Sequence, residues 1–510
     1  MFLFESILAL LALSLALAAV SRRIGAPYPA FLALLGVALA VAPRAPHVEL
    51  DPELALALFL APVLVDAGFD MSIRDLKRDW IAVTSLVVGA VIATTIAVAF
   101  VARWFEPGMP WPAAIALGAI VAPPDAVAAS AVLKHVAPPR RLVAILEGES
   151  LFNDASALVI FRAAVVAAAM SFSESTIPML AASVPVSIAV GAGVGYLLPR
   201  LISRIVDAPT SIIAQFVAAF GIWIAAEHVH LSGVLTLVAF AATASRVSQM
   251  PARLRLPSFA VWETVVFLAN VLAFVLIGLQ LAPILDDLTA EERIGYLSVG
   301  SAVLATIVAV RFGWVFLNGA GVVVYGRLRG FSPINPAVRP NWRSGLVVSW
   351  CGMRGIVTLA AALSLPNAFP FRNLVVFCAF FVVLGTLVLQ GFTLGPLLRA
   401  LDLPEDRQFD VESGFARTEA IRAALASLQG KDGEASARVR AEYEGLLAVA
   451  DADPDAYAPA VSKEDRLRER AISAARQRLD ELRRNGEIGD DAFHRIEEEL
   501  DRSEIGVIEL

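Results

Sequence analysis

Charge is scarce in this sequence, and so is cysteine. Only 17% of the 510 residues are Asp, Glu, Lys or Arg and 58% are hydrophobic, whereas a soluble domain carries about 25% charge. With a mean hydropathy of +0.70, a cytosolic enzyme is excluded. Two cysteines, Cys351 and Cys378, both within apolar stretches, are too few for a disulfide framework or a Cys-x-x-Cys metal site. Gly191-Ala192-Gly193-Val194-Gly195 imitates a dinucleotide loop, but no strand precedes it, so it reads as close helix packing. His228 and His230 lack the i,i+4 spacing of a zinc-protease helix. Gly148-Glu149-Ser150 is no nucleophile elbow, because no histidine sits at comparable depth. Neither a cofactor, nor enzyme chemistry, nor a nucleic-acid partner is expected.

What the sequence has instead is long apolar runs. About thirteen fall near residues 2–20, 27–43, 53–70, 80–104, 111–134, 141–170, 178–199, 209–228, 231–245, 258–283, 295–326, 343–366 and 371–399. Most reach the roughly 18 residues needed to cross about 30 Å of hydrocarbon as a helix. The first has no basic n-region and no small-residue cleavage site, so it reads as an uncleaved helix. The expected class is an all-α polytopic membrane protein. Charge divides the chain: residues 1–401 carry 25 Lys and Arg against 21 Asp and Glu, and residues 402–510 carry 16 against 27. The reading is a membrane domain over 1–401 and an acidic, helical, water-facing tail over 402–510.

Basic residues orient the spans. Loops after odd-numbered runs hold seventeen Lys and Arg, and loops after even-numbered runs hold four. The positive-inside rule therefore puts the N-terminus outside and the tail in the cytoplasm of a cell-membrane protein. An odd offset between two six-span repeats also makes them inverted. In inverted repeats a binding site forms at the bilayer midplane where interrupted helices meet. Runs five and twelve correspond, and both carry helix breakers: Pro123-Pro124, and Gly352 with Gly355.

Ionisable groups in mid-membrane are costly and mark candidate sites. Asp66, Asp125, Glu147, Glu149, Asp154, Arg162, Glu227, Glu263, Arg311 and Arg354 all fall within runs. Glu147, Glu227 and Glu263 lie near span ends and read as structural or interfacial. In the sixth run Glu149 and Asn153 are i,i+4, as are Ser150 and Asp154, so four polar groups share adjacent stripes that cannot face lipid. In the fifth run, Pro123-Pro124 breaks the helix beside Asp125 and releases carbonyls. Asp125, Asp154, the Ser150 hydroxyl and the Pro124 carbonyl would form an all-oxygen site suited to a hard cation. Arg354 needs a buried partner, and Glu149 is the expected mate. A purely structural ion-pair network is the competing reading, disfavoured because three carboxylates stand against one deep arginine, Arg354. Two carboxylates drawn together out of water do not both stay ionised without a counter-charge. A proton and a metal ion therefore compete for the same oxygens, and alternating access converts competition into exchange.

Gly148-Glu149-Ser150-Leu151-Phe152-Asn153-Asp154-Ala155, Pro124-Asp125-Ala126-Val127-Ala128 and Gly352-Met353-Arg354-Gly355 together resemble the monovalent cation:proton antiporter-1 family, the sodium/proton exchangers of the NhaP and NHE kind. The resemblance implies that Asp154 is the essential ion- and proton-binding carboxylate, joined by Asp125 and Ser150. It implies that Asn153 marks electroneutral one-for-one exchange, that Asp66 supports Asn153, and that Glu149 pairs with Arg354. It further implies a homodimer with a six-helix transport bundle moving against a scaffold. The sequence departs from the family's common Thr-Asp-Pro at Pro124-Asp125-Ala126, and its third-span acid is Asp66 rather than Glu. The expected function is antiport of Na+, with K+ or Li+ as further candidates, against H+. A K+/H+ antiporter and an ion-responsive channel or sensor signalling through the tail are the alternatives.

Overall fold

Inside lipid the backbone has no water to bond with, so a spanning chain satisfies its own N–H and C=O groups as helices. The computed structural model describes residues 2–24, 27–42, 52–133, 138–169, 176–248, 250–286, 288–329, 341–401, 403, 408–430, 433–452, 463–485, 487, 492–493, 495–497 and 499–501, and every regular element among them is helical. The chain forms two compact units, Met1–Pro404 and Glu405–Leu510.

The first unit contains α1 (Phe2–Ile24), α2 (Tyr28–Ala40), α3 (Pro52–Asp70), α4 (Trp80–Phe105), α5 (Trp111–Val121), α6 (Ala126–Leu133), α7 (Arg140–Ala168), α8 (Thr176–Ile202), α9 (Ala208–His228), α10 (Gly233–Val247), α11 (Ala252–Leu279), α12 (Ala290–Arg329), α13 (Trp342–Trp350), α14 (Ile356–Leu363) and α15 (Arg372–Leu401). Among the described residues eight helices are long and apolar enough to cross a membrane, with shorter apolar helices beside them. Helix starts follow local chemistry. Asp207 caps Thr210 N at 3.0 Å, Ser232 caps Leu235 N, and Asn341 caps Arg343 N. Pro110, Pro139 and Pro251 sit at N-cap positions of α5, α7 and α11, where a missing N–H costs nothing. Two spans carry π-helical turns, Leu56–Leu60 in α3 and Ser85–Ala90 in α4.

Two spans are broken. Residues 122–125 separate α5 from α6, and residues 351–355 separate α13 from α14. Pro123 and Pro124 remove the donors that would continue α5. The two gaps meet: Asp125 N–H donates to Met353 O at 2.7 Å.

Apolar packing gathers into two large cores. One joins α2, α5, α6, α14 and α15 with parts of α4, α7, α11 and α12; the other joins α3, α9 and α10 with α7. Helix α7 serves both, through Leu142, Leu146, Phe161 and Ala164 on one side and Leu151 and Ala155 on the other. Its middle, with Asp154, therefore sits where the cores abut. Lipid is as apolar as a side chain, so helices associate through close packing of small residues. Gly191 and Gly195 of α8 face α10, where a Cβ would collide with the backbone at Thr236 and Phe240. Gly193, between them, faces open space. Gly191 and Gly195 thus form a packing stripe.

The second unit contains α16 (Gln408–Ser427), α17 (Glu434–Ala452) and α18 (Lys463–Arg484). Ile421 and Leu479 are buried, whereas Phe415 and Leu467 are exposed. Helix α18 stops ahead of Asn485. Asp451 and Ala452 close α17, and residues 453–462 lie outside the described residues.

Substituting Gly195→Leu is expected to destabilise the protein by about 1–3 kcal/mol through overpacking, whereas Gly193→Ala, whose Cβ meets no neighbour, is expected to stabilise it slightly. Thermal unfolding of detergent-solubilised protein measures both.

Candidate cation and proton site

Four of the residues singled out in the sequence converge at the crossing. Asn153 Nδ2 donates to Pro124 O at 2.9 Å, which brings α7 onto the broken segment. Asp125 directly follows Pro124 and Asp154 directly follows Asn153, so this bond brings the two acidic residues to the same crossing. Asp125 Oδ1 accepts from Val127 N at 2.9 Å, so this carboxylate also caps α6. Its other oxygen lies over Gly355, where a Cβ would occupy the same space. Asp154 is 8% exposed and Asn153 fully buried. The Asn153 Oδ1 atom meets no donor, and Asp66 is half-buried on α3.

Two cavities of about 10 Å³ each flank the crossing. Asp125, Pro124, Ser150, Glu149 and Cys351 line one, together with Ala129 and Leu146. Asp154 and Pro123 line the other among Phe161, Leu158, Val357 and Ala361. Each is near the limit of room for a single water. The two carboxylates thus line separate cavities.

The expected Glu149–Arg354 pair is not what the structure contains. Glu149 pairs with Arg311 of α12: Nη1 to Oε1 at 2.6 Å and Nη2 to Oε2 at 2.9 Å, a bidentate fork with both groups buried. Arg311 Nε donates further to Val348 O at 3.0 Å. Gly352 makes room for it, since a Cβ there would lie 2.6 Å from Arg311 Cδ.

Arg354 is held differently. Its Nε donates to Val121 O at 2.8 Å, its Nη2 to Ala122 O at 3.1 Å, and its Nη1 to Gly352 O. The break at Pro123-Pro124 leaves the last carbonyls of α5 without their helical donors, and a helix C-terminus carries partial negative charge. That terminus, rather than a carboxylate, is the counterpart of Arg354. Thr386 of α15 accepts the Arg354 backbone N–H at 3.0 Å and steadies the segment. Arg311 was visible in the sequence as a mid-span charge. Nothing in its spacing said which acid it would meet, because the two lie 162 residues apart.

Away from the crossing, Glu227 accepts from Arg162 Nη2 at 2.7 Å and from Gly233 N at 3.0 Å, which fits its structural reading. Glu147 and Glu263 are exposed.

Residues 9–400 match the transmembrane sodium/hydrogen exchanger family. The chain belongs to that family. A Bacillus pumilus protein named sodium, potassium, lithium and rubidium/H+ antiporter is 30% identical over 533 residues, covering 99% of this chain and 78% of its own. The low-affinity Na+/H+ antiporter NhaS1 of Synechocystis is 30% identical, with 84% and 81% covered. The sodium proton antiporter MjNhaP1 of Methanocaldococcus jannaschii shares the fold, with a TM-score of 0.62 at 19% identity over 79% of this chain and 98% of that one. As a member of the exchanger family, this chain is a multi-pass membrane protein.

Arg311→Ala would strand Glu149 as a buried, unpaired charge, at a cost of about 3–5 kcal/mol, and is expected to reduce the yield of folded exchanger. An apolar double replacement, Glu149→Leu with Arg311→Met, should recover folded protein without the single mutant's loss. Size-exclusion profiles and thermal unfolding of the purified variants measure both effects.

Proposed function

We propose that the protein is a secondary antiporter exchanging Na+ for H+, with Asp154 and Asp125 as the carboxylates for which the two ions compete. One observation carries the reading. Around the crossing, Glu149 pairs with Arg311, Arg354 bonds the carbonyls that end α5, and Asp125 and Asp154 line the adjoining cavities, so three carboxylates stand against two guanidiniums. One negative charge remains uncompensated in a region where isolated charge is costly. A single monovalent cation or a single proton neutralises it. Either way the loaded site is neutral, and the empty site is the state least able to cross. That is the condition for obligatory one-for-one exchange.

Ligands for the cation are the Asp125 and Asp154 carboxylates, the Ser150 hydroxyl, the second lone pair of Pro124 O and the free Oδ1 of Asn153. All are oxygen, as a hard alkali cation prefers. The two cavities bring open space to both carboxylates. Asn153 contributes at both ends of its side chain, since its amide nitrogen holds the broken segment against α7 while its carbonyl oxygen remains available to a cation. Asp66 is assigned the supporting role on resemblance. The relatives' names span sodium, potassium, lithium and rubidium, and Na+ is the substrate common to them. The basic-loop asymmetry puts the N-terminus outside and residues 402–510 in the cytoplasm. The functional unit is taken to be a homodimer in the cell membrane.

In proteoliposomes carrying a pH-sensitive dye, Na+ addition is expected to dissipate a preset pH gradient, and Asp154→Asn to abolish the response. Retained exchange in that variant would refute the site. Because no net charge crosses, a potassium/valinomycin potential of about 100 mV, worth about 2.3 kcal/mol per unit charge moved, should leave the exchange rate unchanged. Acceleration or reversal by that potential would contradict one-for-one stoichiometry.

A further inference from the structure

The π-helical turn of α4, Ser85–Ala90, is met from two sides by side chains the exchange chemistry does not use. A π turn carries an extra residue and disturbs the regular carbonyl ladder; such turns concentrate at functional sites. From α12, Trp314 Nε1 donates to Ser85 O and Ser85 Oγ, each at 3.1 Å. Asn318 Nδ2 donates to Ser85 Oγ as well. The Trp314 ring lies against Gly89, where any Cβ would overlap it. From α7, Ser156 Oγ reaches Val87 O at 2.7 Å, with its own-helix Asn153 O at 2.8 Å as the alternative acceptor for the one hydroxyl proton.

The positions of these side chains matter. Trp314 is three residues after Arg311 on α12, and Ser156 is two residues after Asp154 on α7. At 1.5 Å per residue, each lies within one helical turn of a site residue. Helices α7 and α12 are therefore tied twice: directly by the Glu149–Arg311 fork, and a second time through the π turn of α4. One tie leaves α7 free to rotate about it; two at different heights fix both its rotation and its height.

We propose that the π turn of α4 is the seat that sets the register of α7, with Ser156 and Trp314 as positioning residues that hold Asp154 within reach of Asp125. The proposal rests on Asp154 being the ion-binding carboxylate. A cation shared by carboxylates on separate helices depends on their separation. A shift of α7 therefore shows first in cation affinity and in the competition with protons.

The test uses the full-length protein in proteoliposomes, with Na+-dependent dissipation of a pH gradient recorded across Na+ concentration and pH. Ser156→Ala is expected to raise the half-maximal Na+ concentration roughly threefold to tenfold, the range for one lost neutral hydrogen bond. It should also move the acid limb of the pH profile to higher pH, because a weaker cation loses to protons sooner. Ser156→Thr keeps the hydroxyl and should restore both values. Trp314→Phe keeps a ring but loses the N–H, and should move both values in the same direction as Ser156→Ala. If Ser156→Ala fails to assemble, Trp314→Phe carries the same two readouts. Unchanged half-maximal Na+ and pH profile in the assembled variants overturn the proposal, as does a loss confined to yield or thermal stability. Absence of exchange in the wild type, or its persistence in Asp154→Asn, counts against the site itself and not against the seat.

Discussion

Charge compensation in a medium that tolerates little net charge is the constraint on which this structure turns. A carboxylate or guanidinium withdrawn from water must meet opposite charge, hydrogen-bond partners or both. Each deep group at the crossing illustrates one solution. Glu149 and Arg311 satisfy each other through a bidentate fork. Arg354 is satisfied by carbonyls at the broken end of α5, so a partial helix charge takes the place of a full one. Asp125 spends one oxygen on the first turn of α6. Asp154, buried on α7, lines the neighbouring cavity with no ion-pair partner among the described residues, which is the imbalance the proposed exchange of a cation for a proton would relieve.

The breaks in the two crossing spans follow from the same constraint. An unbroken α5 would consume its own carbonyls and offer nothing to Arg354. An unbroken α13–α14 could not bring Met353 O to the Asp125 N–H. The glycines of Gly352-Met353-Arg354-Gly355 have separate spatial reasons: Gly352 admits Arg311 and Gly355 admits Asp125. The motif is thus a fitted surface for two charged side chains, one on each side of Arg354.

Much of this was legible in the sequence. The apolar runs indicated the helical membrane fold, Pro123-Pro124 and the Gly352/Gly355 pair marked the broken spans, and the i,i+4 spacing on α7 pointed to Glu149, Ser150, Asn153 and Asp154. Gly191 and Gly195 read correctly as packing. The pairing of charges was not legible. Sequence spacing reports which residues share a helix face, but not which of two arginines on other helices reaches Glu149. The rule that a buried arginine seeks a carboxylate led to Arg354, because it overlooks helix termini as partners. The π turn in α4 left no mark either, since Ser85-Leu86-Val87-Val88-Gly89-Ala90 reads as ordinary apolar helix.

Calorimetric titration of Na+ into the purified protein, repeated at several pH values in buffers of different ionisation heats, addresses the central claim most directly. A site holding either one cation or one proton predicts that Na+ binding expels a proton and that apparent Na+ affinity falls as pH is lowered. Na+ affinity independent of pH, with no proton released to the buffer, would contradict it.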